Sequence, residues 1–560
     1  MKTKFFLTLL FVFFLLRVFA VPQIYHQDEY KWAVLASPSA GFNLASEHPP
    51  LVILLYRAAG VLFGFDHLRL LPLLFAVLSL FLAYRLAERL YGVRVARFVV
   101  AILSLSVYYI IAGVQIDIDG ALLPFFTLAA FVSYYKIDFS ALSHSKNRAP
   151  IVLLFLSLLG GLLVKLSFVL VIAVLLTEFL LEHHFTKKNV FYAGAMAAAA
   201  GVGAAAAILA LDFFFGVSNP TEFLTHASGI PLGNFAGRNY FQVLFLSVKA
   251  VVLASPLLLG GYLFFLRNRA RFHEFRLWFV FLLYHFIFYF VIFDFSNRTM
   301  ERYLMFFILP SAFITGAFMS EAYEKSDKKI FVRGCVWGTG IFAVVSFFLF
   351  SLPYDILPLN PKSAFLSHLA HLDFQFLIPI TGGSGPIGFY LLVSFILFSF
   401  SLTLGALLAY LFLKKEKSRT IALGIFLAAS LCYNLALTEE YLFGGVYGSP
   451  DRVARALVSD VVTNKKISGV ITYYDIAGYE LNASGKYTRR FYTDPMFEKT
   501  NRPKFASYDG TYMVLDFPAI DKTSVYWKYL ATCATTKELH DKTIAGYLFD
   551  CKNGNRDLFR

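Results

Sequence analysis

Apolar runs of membrane-spanning length alternate with short polar clusters along the first 440 or so positions, and that alternation predicts a bundle of membrane helices. About thirteen spans are expected, near 5–21, 68–90, 95–112, 119–137, 150–165, 166–182, 190–214, 241–266, 277–295, 303–321, 330–352, 386–413 and 420–440. The run 150–182 is divided at Gly160, Gly161 and Lys165, because a single helix there would be about 50 Å long against a hydrocarbon core of roughly 30 Å. The first run, "MKTKFFLTLLFVFFLLRVFAVPQ", has a basic start and a small residue at Ala20, as a signal peptide would, but Arg17 interrupts its core. A retained first helix is expected.

Composition narrows the class. Of 560 residues, 58% are hydrophobic and 15% charged, more apolar surface than a soluble protein of this length can bury. Lys and Arg number 50 against 36 Asp and Glu, a formal charge of +14. The excess sits in short clusters between apolar runs, the pattern of cytoplasmic loops and not of a nucleic-acid face. With Lys2 and Lys4 inside, the clusters at Arg85/Arg89/Arg94/Arg97, Lys136/Lys146/Arg148, Lys187/Lys188, Arg267/Arg269/Arg271, Lys328/Lys329 and Lys414/Lys415/Lys417/Arg419 all fall on the same side, provided the run 150–182 is split. The N-terminus is therefore expected in the cytoplasm. The outer face receives 22–67, 113–118, the neighbourhood of Lys165, 215–240, 296–302, 353–385 and everything after about 441.

Two outer segments stand out. Within 22–67, "HPPLVILLYRAAGVLFG" is too short and proline-marked for a span and reads as a helix along the membrane surface. The last 115 or so residues change character. "SGVITYYDIAGYEL", "GTYMVLDFPAI" and "AGYLFDC" read as strands, while "DRVARALVSDVV" and "YWKYLATCATTKEL" read as helices, a small α/β domain outside the membrane. The expected division is 1–445, a transmembrane domain, and 446–560. Cys335 and Cys432 lie in apolar runs and read as packing residues. Cys533 and Cys551 share the outer domain, as a disulfide or as two free thiols.

Charged groups from distant parts of the chain converge on that outer face: Asp28, Glu29 and Lys31 in "QDEYKWA", Glu47 and His48 in "SEHPPL", Asp117 and Asp119 in "IDIDG", Lys165, and Arg298, Glu301, Arg302 and Tyr303 in "NRTMERYL". Each has an ordinary reading taken singly. Lys31 with Trp32 makes a snorkelling and aromatic anchor, and Asp119 makes a helix cap. Gathered on one face, they favour a site that lines a cavity.

The order of these signals resembles the GT-C glycosyltransferases, in the branch of protein O-mannosyltransferases and lipid A aminoarabinose transferases. "QDEYKWA" resembles the acidic motif of the first outer loop, and "SEHPPLVILLYRAAGVLFGFDHLRLLP" the Pro-Pro-Leu segment with its surface helix. "IDIDGALLPFF" resembles the second acidic motif, "GGLLVKLSFVLVIAVLL" the Lys-bearing turn and "ERYLMFFILP" the Arg-Tyr-Leu segment. The resemblance implies transfer of a hexose or pentose from a polyprenyl-phosphate carrier, with inversion, to a glycolipid, polysaccharide or protein outside the cytoplasm, in a multi-pass protein of the cell membrane. It implies Asp28 as general base, Glu29 in support and Asp119 as second carboxylate. It implies Lys31, Lys165 and Arg302 at the donor phosphate, with Glu47, His48 and Tyr303 lining the site. His48 stands where the aminoarabinose branch tends to have Lys, and Lys31 puts a point charge where relatives carry Arg, which implies a different donor or acceptor.

The implied chemistry needs no cofactor, although Glu47, His48 and His26 form a candidate divalent-metal set. Two other classes compete. A polyprenyl-lipid flippase or transporter predicts repeated halves with broken helices at the midplane, and no such repeat is visible. A non-catalytic envelope scaffold predicts indifference to replacement of Asp28.

Overall fold

The computed structural model describes residues 3–25, 28–37, 51–141, 144–183, 186–215, 240–267, 269–292, 301–361, 363–380, 387–474 and 476–559. The protein is a polytopic α-helical membrane protein with a C-terminal sheet region. Ten helices among the described residues are long and apolar enough to cross a membrane. Shorter apolar helices occur at Leu7–Val18, Leu51–Phe63 and Leu122–Tyr134. Every run expected to span contains helix, but several are not one continuous α-helix: 241–266 is kinked at Ser255, 277–295 passes into a π-helix at Ile287–Ile292 and 303–321 opens in a 3-10 helix. The run 95–112 is broken at Ser106, which takes extended dihedrals (φ −70°, ψ 120°) between Val93–Leu105 and Val107–Ala112. The run 386–413 opens as a strand, Phe389–Leu392, before the helix Val393–Phe412, because those first residues pair with a neighbouring strand.

The chain divides into two compact units. The first holds Met1–Val21, Trp32–Arg333 and Leu407–Leu423. Small residues let its helices approach closely: a Cβ at Gly316 would stand 2.7 Å from Val99 Cγ2, and one at Gly261 would stand 2.7 Å from the Thr315 backbone nitrogen. Arg17 is fully buried. Its guanidinium lies 3.6 Å from the Phe13 ring centroid and its Nη1 donates to the carbonyls of Phe13 (3.1 Å) and Ser104 (3.2 Å), while Nε and Nη2 are buried without a hydrogen-bond partner among the described residues. Arg69, also buried, donates to the carbonyls of Ala20 (2.9 Å) and Val21 (3.4 Å), just past the first helix. The long apolar run ends its first helix at Val164. Lys165 is extended (φ −157°, ψ 134°), a 3-10 turn follows at Leu166–Phe168, and the next helix is Val169–His183.

The second unit holds Pro22–Lys31, Gly334–Ala406 and Gly424–Arg560. Strands β1 (Asp355–Ile356), β2 (Phe376–Ile380) and β3 (Phe389–Leu392) form a small sheet. The larger sheet has strands β4 (Val470–Tyr473), β5 (Tyr487–Phe491), β6 (Thr511–Leu515), β7 (Ala534–Asp541) and β8 (Ile544–Asp550), in the order β5-β4-β6-β8-β7. β5, β4 and β6 are parallel; β8 runs antiparallel to β6 and to β7. Central β4 and β6 are buried along their whole length, as apolar parallel strands covered on both faces require. The helix Pro450–Thr463 is capped by Ser449, whose hydroxyl accepts from the Arg452 N–H, and it buries Val453, Ala454, Leu457 and Val461 on one stripe.

Three expectations for this region are corrected. "YWKYLATCATTKEL" is helical only over Val525–Leu530, and its second half is edge strand β7, fixed by pairing with β8. "SGVITYYDIAGYEL" gives β4 and then the helix Gly478–Ala483, after Tyr474 and Ala477 take left-handed dihedrals (φ 56° and 58°). β5 was not expected at all. Cys533 and Cys551 form a disulfide, whereas Cys335 and Cys432 are free thiols.

Candidate functional site

The acidic stretch Gly113–Ala121 reverses the chain between two membrane helices. Val114 to Ile118 are all buried, and the turn is tight enough that a Cβ at Gly120 would lie 2.9 Å from the Ala112 carbonyl oxygen. Asp119 emerges from this turn opposite Lys165, 46 residues later, whose extended backbone interrupts the neighbouring helix pair. The ammonium donates to both carboxylate oxygens, at 2.6 and 2.8 Å. The Asp119 side chain is 9% exposed and that of Lys165 15%, so the pair is largely withdrawn from water. Two sequence-predicted residues, one acidic and one basic, are thereby brought into one ion pair.

Asp119 lines a narrow cleft with Leu123, Pro124, Thr127, Ser167, Phe168, Val171, Phe281, His285, Tyr289, Met305, Phe306 and Leu309. Its walls are mostly apolar and its polar groups few. Of the ion pair, the Asp119 carboxylate stands on this lining, beside a mostly apolar wall. His285 was missed by the sequence reading, yet an ionisable residue inside an apolar span was the signal that could have found it. Its Nδ1 lies 2.9 Å from the Phe281 carbonyl oxygen, and its ring stacks on Phe281 at 4.0 Å. The Nδ1 contact assigns the proton to that nitrogen and leaves Nε2 as an acceptor.

The first-loop motif forms a helix, Asp28–Ala36. Glu29, Trp32, Ala33 and Ala36 fall on one face by their spacing and all four are buried, while Lys31 is exposed on the opposite face. A buried glutamate on such a face is a group with a structural or chemical task, not a solvated charge. In the first unit, the Trp32 ring lies 6.1 Å from Tyr56, and the Tyr56 hydroxyl donates to the Asp117 carbonyl at 2.8 Å. Tyr56 belongs to the expected surface helix, found at Leu51–Phe63, and so ties that helix to the second acidic motif. Nothing in the sequence marked Tyr56.

The other expected residues are placed less fully. Asp28 opens its helix, and Arg302 and Tyr303 lie in the 3-10 segment Glu301–Phe307, with the side chains of all three outside the described part. Glu47, His48 and His26, the candidate metal set, lie outside the described residues. Among the described residues one other group has metal-ligand spacing: Asp355, His368 and Asp373, whose ligand atoms lie within 4.8 Å of one another in the second unit. The 2.7 Å contact of His368 Nδ1 with Asp373 Oδ2 gives that cluster an internal hydrogen bond without a cation.

Residues 47–208 match the family described as Dolichyl-phosphate-mannose-protein mannosyltransferase. No curated protein matches the sequence. Among solved structures, the chain is similar to ArnT from Cupriavidus metallidurans in two states. The apo structure gives a TM-score of 0.55 at 14% identity, and the structure bound to undecaprenyl phosphate gives 0.57 at 13% identity. Each comparison covers 97% of both chains, so the likeness of fold extends over membrane helices and C-terminal region alike.

Proposed function

From the family match over residues 47–208 and the likeness of fold to ArnT, we propose that the protein is a GT-C glycosyltransferase that transfers a sugar from a polyprenyl-phosphate carrier to an acceptor outside the cytoplasm, with inversion at the anomeric carbon. The observation that carries this reading is the Asp119–Lys165 pair at an apolar cleft, a charged end and a greasy wall matched to a prenyl phosphate. The undecaprenyl phosphate bound in the ArnT structure supports the same donor class.

In this mechanism the acceptor hydroxyl attacks the anomeric carbon and the bond from that carbon to the phosphate oxygen breaks. Polyprenyl phosphate leaves with the electron pair. Asp28 takes the hydroxyl proton, which a positioned carboxylate does best from within hydrogen-bond reach. Glu29 supports Asp28 from the buried face of the same helix. Lys31, Lys165 and Arg302 stabilise the charge that grows on the departing phosphate. Asp119 fixes Lys165 and serves as the second carboxylate. The basic clusters support a cytoplasmic N-terminus in the cell membrane, with the site on the outer side.

Incubating the purified protein with a panel of polyprenyl-phosphate sugars, and measuring release of polyprenyl phosphate, tests the reading. One donor is expected to be consumed, and Asp28→Asn should slow its use about a hundredfold or more. A panel left intact, or an Asp28→Asn variant as fast as the wild type, overturns it.

A further inference from the structure

Residues 22–25, past the first helix, are not helical, so their backbone N–H groups need acceptors from elsewhere. They find them in the C-terminal part of the second unit. The Ile24 N–H donates to Asp451 Oδ1 at 2.7 Å, and the Tyr25 N–H donates to Glu480 Oε1 at 3.2 Å. Asp451 uses its other oxygen to accept from Arg455 Nε at 2.7 Å, one helical turn on, and Arg455 Nη2 donates to the Pro22 carbonyl. A closed loop of charge-assisted bonds thus grips Pro22 and Ile24, and Glu480 holds Tyr25 beside it. Rings reinforce it: Tyr25 packs on Tyr479 at 5.0 Å and Tyr30 on Tyr487 at 5.4 Å. Ile24 and Tyr25 are buried.

We infer that Asp451, Arg455 and Glu480 are positioning residues for the acidic motif, so that the C-terminal α/β region sets the rate of sugar transfer without touching the substrate. The inference rests on the reading of Asp28 as general base. Tyr25 is three residues from Asp28, at most about 10 Å of chain, so loosening one end moves the other. A displacement of about 1 Å at a reacting group costs on the order of a hundredfold in rate. A bond that merely stabilised the fold would leave the rate per folded molecule unchanged.

The experiment measures turnover of an undecaprenyl-phosphate sugar against its concentration for the full-length protein, together with thermal unfolding of the same samples. Asp451→Ala and Glu480→Ala should each lower kcat ten- to a hundredfold while the half-saturating donor concentration stays within about twofold. Glu480→Gln keeps an acceptor oxygen for the Tyr25 N–H and should recover most of the loss. Asp451→Asn weakens the link to Arg455 and should give an intermediate rate; it decides the matter if the alanine variants do not fold. Glu480→Ala added to Asp28→Asn should slow the reaction no further, because the clamp acts through Asp28. Wild-type kcat in the Asp451 and Glu480 variants, or losses that multiply with Asp28→Asn, overturn the inference. Wild-type kcat in Asp28→Asn alone overturns instead the general-base reading on which it rests.

Discussion

Lys165 Nζ holds both carboxylate oxygens of Asp119, at 2.6 and 2.8 Å, across 46 residues of chain. Removing one member of so enclosed a pair strands the other charge. Lys165→Met should therefore lower stability by about 3 kcal/mol and abolish transfer. The double variant Asp119→Asn with Lys165→Gln leaves no charge behind. It should regain most of the stability and none of the activity. Thermal unfolding in detergent beside turnover separates the two effects, and a double variant with wild-type turnover would show the pair to be structural only.

Lys31 stands on the exposed face of the helix Asp28–Ala36, away from buried Glu29. Its removal should leave the melting temperature unchanged. As a donor-phosphate ligand, it should show itself in donor use: Lys31→Ala should be impaired and Lys31→Arg active, with a fork of donors in place of a point charge. Rate against donor concentration for the three proteins is the measurement. Three superimposable curves would make Lys31 a headgroup anchor.

The Cys533–Cys551 disulfide closes a loop between residues 18 apart and joins the end of β8 to the segment before β7. Replacing both cysteines by serine should destabilise the α/β region by about 3 kcal/mol. Limited proteolysis should detect this as faster cutting after residue 450 in the serine variant, with the membrane helices still intact. Equal cutting rates would show that the sheet needs no crosslink.

The helical spans were legible because apolar runs long enough to cross a bilayer have few other solutions. The break at Lys165 was legible for a related reason, since an unbroken helix would have been too long and would have inverted every later basic loop. The edge strand β7 was not. "ATTKELHD" contains good helix formers, and only its pairing with β8 decides its conformation. The site was legible in its ingredients and not in its geometry. Asp119 and Lys165 were each expected on one face, but no periodicity connects positions 46 apart. Glu29 and Lys31 were grouped as neighbours in sequence, and the helix turns them to opposite faces. The grip on Ile24 and Tyr25 had no sequence signal, because its partners are 427 and 455 residues away.

That last separation has a consequence for biosynthesis. Ile24 and Tyr25 leave the ribosome 427 and 455 residues ahead of their partners Asp451 and Glu480. At ordinary elongation rates the gap is roughly 20 to 90 s. Until then the acidic motif lacks these two bonds from Asp451 and Glu480. On the proposed reading, full transfer activity therefore waits for synthesis of the C-terminal α/β region. A product truncated before Asp451 carries the motif without this grip, and on the same reading it is inserted in the membrane but slower at transfer.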